Sequence, residues 1–120
     1  MNDSYKLYLE GRELMAAGNL EQAIVVFQAS NEATPHFKTL ELLGECFLLL
    51  GRPQQAIIPL TAATTMNPQV RAPSLLAQAL LECGEYPRAV EIATAVLAKA
   101  PTNRTALDVL AREGIRHAVP

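Results

Sequence analysis

The sequence predicts an all-α protein that stacks three antiparallel helix pairs and a final capping helix, seven helices in all, into a solenoid. Three types of residue recur at intervals of 33 positions, and these recurrences carry the prediction. They are the glycines Gly18, Gly51 and Gly84, the alanines Ala23, Ala56 and Ala89, and the prolines Pro35, Pro68 and Pro101. A fixed period of this length is the sequence signature of stacked helical repeats, which bury a continuous core between neighbours.

The chain of 120 residues has the length of one domain, and half of its residues are hydrophobic, enough to build a core. The period predicts a single domain over residues 1–120, with repeats at about 4–36, 37–69 and 70–102. We expect a capping helix at about 103–113, because the last repeat would otherwise expose its apolar face. Residues 114–120 have no period and are expected to form a loose tail.

In the first repeat, apolar spacing predicts a helix over residues 4–16 that ends before Gly18, a residue type common just past a helix C-terminus. Asn19 is then expected to cap the next helix, which starts at about Leu20. Gln22 stands three residues after Asn19, so the two are expected to form a capping box.

The second repeat follows the same plan, with a first helix over residues 37–50 and a turn at Gly51. Pro53 is placed at the first position of the next helix, where its missing N–H does no harm. Pro59 falls in the interior of that helix, where proline removes a hydrogen bond, so we expect a kink within residues 57–61.

In the third repeat, Pro73 is tolerable only in the first turn of a helix, which therefore should start at about Arg71. Gly84 ends this helix as Gly18 does in the first repeat. In the capping helix, Leu107 and Leu110 are expected to face inward.

The pattern resembles the tetratricopeptide repeat, whose unit reads W-x2-L-G-x2-Y, then A-x3-F, then P. In register, the residues that stand at these positions are Leu7, Glu10, Gly11, Leu14, Ala23, Phe27 and Pro35, then Leu40, Leu43, Gly44, Phe47, Ala56, Leu60 and Pro68, then Pro73, Leu76, Ala77, Leu80, Ala89, Ala93 and Pro101. Glu10 and Ala93 depart from the family pattern. An ankyrin array shares the period, but its T-P-L-H signature is absent. The resemblance implies a right-handed superhelical solenoid.

The resemblance also implies a function, because members of this family hold a peptide or helix of a partner protein in a concave groove lined by the first helices. The positions that match groove positions are Tyr5, Tyr8, Arg12 and Met15, then Lys38, Glu41, Glu45, Leu48 and Leu49, then Arg71, Ser74, Gln78 and Leu81. Helix geometry supports the grouping, since residues three and four apart share one face. We therefore expect a non-catalytic interaction module.

The predicted groove has a mixed chemical character. An apolar strip is expected from Met15, Leu48, Leu49 and Leu81. Glu41 and Glu45 lie one helical turn apart, and Arg12, Lys38, Arg71 or a basic residue of the partner could neutralise them. Relatives that hold acidic chaperone tails use basic and amide residues at matching positions, of which only Arg12 is suitable here, so that ligand class is disfavoured.

Several functional classes lack the residues they need. The net charge is −2 and there is no basic stripe, so nucleic acid is not an expected partner. There is no apolar segment long enough for a membrane span or a signal peptide, so we expect a soluble, cytoplasmic protein. No metal-ligand spacing, phosphate loop or nucleophile–base–orienting set is present, so no metal, cofactor or catalysis is expected.

Two alternatives remain open at this stage. Val25 and Ile58 take a position on the opposite, convex face that is usually charged, so the domain could be a structural one that self-associates there as a weak homodimer. The domain could also be a small cytoplasmic chaperone for a secreted protein, by analogy of fold with bacterial secretion chaperones that contain three such repeats.

Overall fold

The computed structural model describes the backbone of residues 3–118 and the side chains of residues 3–114. All regular secondary structure in this part of the chain is α-helical, in seven helices, which confirms the predicted fold class. They are α1 (Asp3–Ala16), α2 (Leu20–Ala33), α3 (Phe37–Leu49), α4 (Pro53–Met66), α5 (Arg71–Glu82), α6 (Tyr86–Lys99) and α7 (Arg104–Ala118). The starts predicted for the first five helices agree with these bounds to within about one residue.

Each helix packs against its neighbour in sequence, and the first helices also pack along one side, α3 against α5 and α5 against α7. The result is an elongated body of 53 × 26 × 21 Å. Its interior is continuous, because successive units each contribute a fully buried large side chain: Phe27, Leu60, Leu80 and Val109. Stacking therefore supplies the core that no single helix pair could bury.

The three turns inside the helix pairs share one hydrogen-bonded geometry. At Gly51, φ is +73°, its N–H donates to Leu48 O at 3.0 Å, and the Arg52 N–H donates to Phe47 O at 2.8 Å. The same two bonds occur around Gly18 and Gly84. This is the Schellman arrangement, which needs a left-handed residue just past the helix end and explains glycine at all three positions.

The predicted capping box of the first repeat is wrong. Asn19 precedes α2 but its side chain makes no capping hydrogen bond. The Asn19 N–H, which Gln22 would have to bind, already donates to Leu14 O at 2.8 Å in the Schellman turn. Side-chain caps occur instead at the starts of α3 and α7: His36 Nδ1 accepts from the Lys38 N–H, and Asn103 Oδ1 from the Ala106 N–H.

In each helix pair, a small residue of the first helix lies close to one residue of the second helix. A Cβ on Gly11 would lie 2.4 Å from Phe27 Cε1, and a Cβ on Gly44 would lie 2.4 Å from Leu60 Cγ. In the third pair the matching residues are Ala77 and Ala93, both fully buried. The departure at Ala93 is thus accompanied by a larger residue on the facing helix, where the first two repeats have glycine.

α4 runs unbroken from Pro53 to Met66 through the buried Pro59. Proline has no N–H for the carbonyl four residues earlier, that of Gln55. Beyond it, the hydroxyls of Thr64 and Thr65 donate to the carbonyls of Leu60 and Thr61, a pattern that often accompanies bending. The kink expected within residues 57–61 stays a prediction.

The C-terminal helix is longer than predicted. α7 continues to Ala118, so a loose tail from residue 114 is wrong for residues 114–118, while residues 119 and 120 lie outside the described part. Glycine in a helix interior costs about 1 kcal/mol relative to alanine, so Gly114 weakens the helix without ending it.

Leu107 was predicted to face inward, but its neighbour Ala106 does so instead. Leu107 is 44% exposed, whereas Ala106 and Val109 are fully buried. Leu110 packs against the core as predicted. Ala106, Val109 and Leu110 lie three and four residues apart on one face, which turns Leu107 toward solvent.

Candidate functional site

The predicted groove residues lie on α1, α3 and α5, which form one side of the solenoid and are followed there by α7. We refer to this side as the first-helix face. It has three regions of different chemistry: a pocket near the N-terminus, a charged cluster on α3 and α5, and a region where α7 covers α5.

Three predicted groove residues, Tyr5, Tyr8 and Lys38, line one cavity of about 230 Å³, which we call the tyrosine pocket. The connection between α2 and α3 completes it, and the remaining lining residues are Ser4, Thr34, His36 and Thr39. The rings of Tyr5 and Tyr8 stack with centroids 6.2 Å apart. Tyr5 is 52% exposed, so the pocket opens to solvent between its ring and the α2–α3 connection.

The ring of Tyr8 also contacts Phe27 and Arg12. Its ring centroid lies 6.4 Å from that of the buried Phe27, and the Arg12 guanidinium carbon lies 5.7 Å above it. The base of the pocket is fixed by Ser4, whose Oγ donates to a main-chain carbonyl of α2 while Ser30 Oγ donates to Ser4 O at 2.7 Å. The pocket walls are therefore largely preformed, which lowers the entropy cost of binding.

The charged cluster joins Glu41 and Glu45 of α3 to Arg71 of α5. Glu41 is only 4% exposed, and its Oε1 lies 3.5 Å from Arg71 Nε. The same guanidinium binds Glu45 through Nη2. Among the basic residues that the sequence suggested, Arg71 is thus the one that forms ion pairs with both carboxylates.

Burial raises the pKa of Glu41 above its usual value, and the nearby Glu45 acts in the same direction. The positive charges of Lys38 and Arg71 oppose this rise without cancelling it. The cluster therefore holds a carboxylate that is less stable in its charged form than a solvated one.

The remaining predicted residues are unequally exposed. Ser74 and Leu81 are 3% and 7% exposed, in a helix against which α7 packs, so they offer little free surface. Met15 and Leu48 are partly buried against the core, and only Leu49, at 61%, is well exposed. Gln78 Nε2 donates to Glu82 Oε2 at 3.0 Å along the edge of α5.

Two observations on the described residues bear on reactive chemistry, one on a buried thiol and one on metal binding. Burial raises the pKa of the Cys46 thiol to about 11, so it stays protonated at neutral pH. Within this part of the chain no cluster of three or more His, Cys, Asp or Glu side chains could bind a metal ion. Its helices include none with the length and apolar character needed to cross a membrane.

Family models for the tetratricopeptide repeat match residues 8–71 and 74–111. A comparison with curated proteins found no match.

Solved structures share the fold. The first repeat domain of Spaghetti (RPAP3), bound to the HSP90 peptide SRMEEVD, has a TM-score of 0.89 at 19% identity, over 97% of this chain and 94% of that one. MamA from Desulfovibrio magneticus RS-1 has a TM-score of 0.90 at 24% identity, over 98% and 67%. PcrH from Pseudomonas aeruginosa, in complex with the chaperone-binding region of PopD, has a TM-score of 0.75 at 24% identity, over 93% and 86%.

Proposed function

Because the chain belongs to the tetratricopeptide repeat family, we propose that it is a non-catalytic module that binds a peptide or helix of a partner protein along the first-helix face. The observation that carries the proposal is the tyrosine pocket. It lies between two successive repeats, and a bound segment would contact α1 and α3 together.

The pocket suits an apolar or aromatic side chain of the partner. Tyr5 and Tyr8 supply large, rigid surfaces with hydroxyls that can hydrogen-bond at the rim. Its volume of about 230 Å³ is on the scale of a single large side chain. Lys38 lines the pocket, and its ammonium, which lies 5.8 Å from the centroid of the Phe37 ring, can turn to bind a main-chain carbonyl or a carboxylate of the same segment.

From the pocket, the segment would continue past the Glu41–Arg71–Glu45 cluster. Arg71 already serves two carboxylates, so it has little capacity left for an acidic ligand. An acidic tail such as the peptide bound by Spaghetti would therefore find Arg12 and Lys38 near the pocket and two carboxylates beyond it. We propose a partner segment with an apolar anchor and no acidic run.

Affinity capture with the full chain, followed by mass spectrometry, identifies the segment, and amide shift mapping then locates it. We expect shifts on α1, α3 and the α2–α3 connection. Tyr5→Ala is expected to weaken binding about tenfold, as loss of an aromatic anchor does. Val25→Ala, on an exposed site of α2, is the matched control and should bind normally. Shifts confined to α2, α4 and α6 would contradict the proposal.

A narrower form of the proposal is the secretion-type chaperone, located in the cytoplasm. Its support is the shared fold with PcrH, at a TM-score of 0.75. It predicts that the captured partner is apolar and falls out of solution when expressed without this chain. A partner that is stable alone would leave the general binding proposal standing and remove the narrower one.

A further inference from the structure

The second helices, α2, α4 and α6, form the opposite side of the solenoid, and a groove runs between α2 and α4. This first convex groove has a volume of about 560 Å³. Its floor is α3, through Leu40, Leu43 and Phe47. Its walls are Gln28, Asn31, Pro35, Gln55, Ile58, Pro59, Ala62 and Met66. None of these lining residues is charged.

The groove contains an unsatisfied polar atom. Asn31 Oδ1 is buried and accepts no hydrogen bond within the described part of the chain. A buried acceptor without a donor costs about 1–3 kcal/mol. Apart from Asn31, Gln28 and Gln55, the side chains that line the groove are apolar.

The next junction of the solenoid shows how such a groove can be closed from within. Between α4 and α6 a cavity of about 240 Å³ is lined by Pro68, Glu91 and Lys99, among others. Lys99 Nζ reaches across to donate to Pro68 O at 3.0 Å. One period earlier these positions hold Met66 and Pro35, so the first groove has no ammonium to span it.

The same surface also presents an apolar projection. Ile58 is 79% exposed at the edge of the groove, and Met66 is 48% exposed. A large apolar residue beside an apolar groove of matching character is self-complementary, as a two-fold interface between identical subunits requires.

We propose that the first convex groove is the interface of a homodimer of this chain, in which Ile58 of each copy lies in the groove of the other. Every residue that lines the groove is uncharged, so two copies can meet there without charge repulsion between lining residues. The amides of Gln28 and Gln55 also line the groove and can hydrogen-bond to the opposite copy.

Ile58 and Val25, which the sequence analysis treated as one possible patch, have different surroundings in the structure. Ile58 lines the groove, whereas Val25, although 64% exposed at the same repeat position, does not. The third repeat carries Glu91 at this position. Ile58→Glu and Val25→Glu therefore introduce a residue type that the fold already accepts there.

Sedimentation velocity over a micromolar to near-millimolar concentration series tests the proposal. We expect reversible dimers for the wild type and for Val25→Glu, and at least a tenfold higher dissociation constant for Ile58→Glu. Met66→Lys places an ammonium where Lys99 stands in the next repeat, so it should close the groove and weaken the dimer similarly. Circular dichroism checks the folding of each variant.

A wild type that stays monomeric throughout the series would overturn the proposal, and so would Val25→Glu that dissociates as readily as Ile58→Glu. If Ile58→Glu fails to fold, Met66→Lys decides: an unchanged dimer then excludes the groove. The first-helix face is not involved, so Tyr5→Ala should dimerise normally, and the result stands independently of peptide binding.

Discussion

Repeats two and three build the same helix pair from different side-chain sizes. In repeat two, Gly44 leaves room for Leu60, and in repeat three Ala77 faces Ala93. All four residues are buried. The comparison shows that a large residue on the second helix requires glycine opposite it, while a small one allows alanine there.

The two residue pairs differ in how much apolar area they bury within their own repeat. Leu60 fills the contact within its own pair, whereas the alanine pair contributes little apolar area there. α5 is instead buried along most of its length, and α7 packs against both α5 and α6.

The largest expected effect is that of Leu60→Ala, which gives repeat two the second-helix residue of repeat three without its partner. A cavity should form beside Gly44, and stability should fall by about 2–5 kcal/mol, as for other buried leucines. Urea unfolding followed by circular dichroism measures the change. Ile57→Ala, at a half-buried site of α4, is the control and should cost clearly less.

Gly44→Ala tests the same contact from the other helix. In the wild type the new Cβ would lie 2.4 Å from Leu60 Cγ and 2.5 Å from Cδ2, so overpacking should cost about 1–3 kcal/mol. In the Leu60→Ala background the space exists, and the helix propensity of alanine should make the same change stabilising by up to about 1 kcal/mol. Equal costs in both backgrounds would show that the two residues do not compete for space.

Ala77→Gly converts the first helix of repeat three to the residue of repeat two. Here we expect a loss of about 1–2 kcal/mol, from the lower helix propensity of glycine and one buried methyl group. The substitution opens space that no neighbour fills, because Ala93 is small. Thermal unfolding of Ala77→Gly and of Ala77→Gly/Ala93→Leu gives the measurement, and the double variant should regain part of the loss.

The smallest expected effect on stability is at Glu41 of repeat two, whose equivalent in repeat three is Ser74. The pKa of Glu41 is raised from its ordinary 4.5, mainly by burial, so the folded state favours the protonated form. Its contribution to stability is complete below the ordinary pKa and is lost as pH rises through the folded-state pKa. Glu41→Gln should therefore be slightly more stable than the wild type at pH 7, with the gain disappearing near pH 4. A variant less stable at pH 7 would mean that pairing with Arg71 outweighs the cost of burial.

Most of the fold could be predicted because its determinants act locally. Gly18, Gly51 and Gly84 each adopt a positive φ that ends a helix, and Pro53 and Pro73 fix where helices begin. The capping box was wrong because the Asn19 N–H has two possible acceptors and the Schellman turn takes it. The orientation of Leu107 depends on how α7 packs against α5 and α6, which a pattern within one helix does not contain.

The candidate site was predictable to a smaller extent. Helix spacing placed Tyr5, Tyr8 and Lys38 on suitable faces, and the structure brings them to one cavity. Thr34 and His36 of the same pocket were missed, because a connection between helices has no period that predicts its position. Ser74 and Leu81 have the correct spacing, yet they are buried in a helix that packs against α7, a contact between elements distant in sequence.

The paired residues Gly44 with Leu60 and Ala77 with Ala93 also limit how one repeat can evolve into the other. A single substitution at either position of repeat two creates a clash or a void, and each intermediate is expected to lose about 1–5 kcal/mol. Marginally stable domains seldom tolerate such a loss. A glycine–leucine pair can therefore evolve into an alanine pair only after a stabilising change elsewhere in the domain. The order of the mutations then matters as much as their identity.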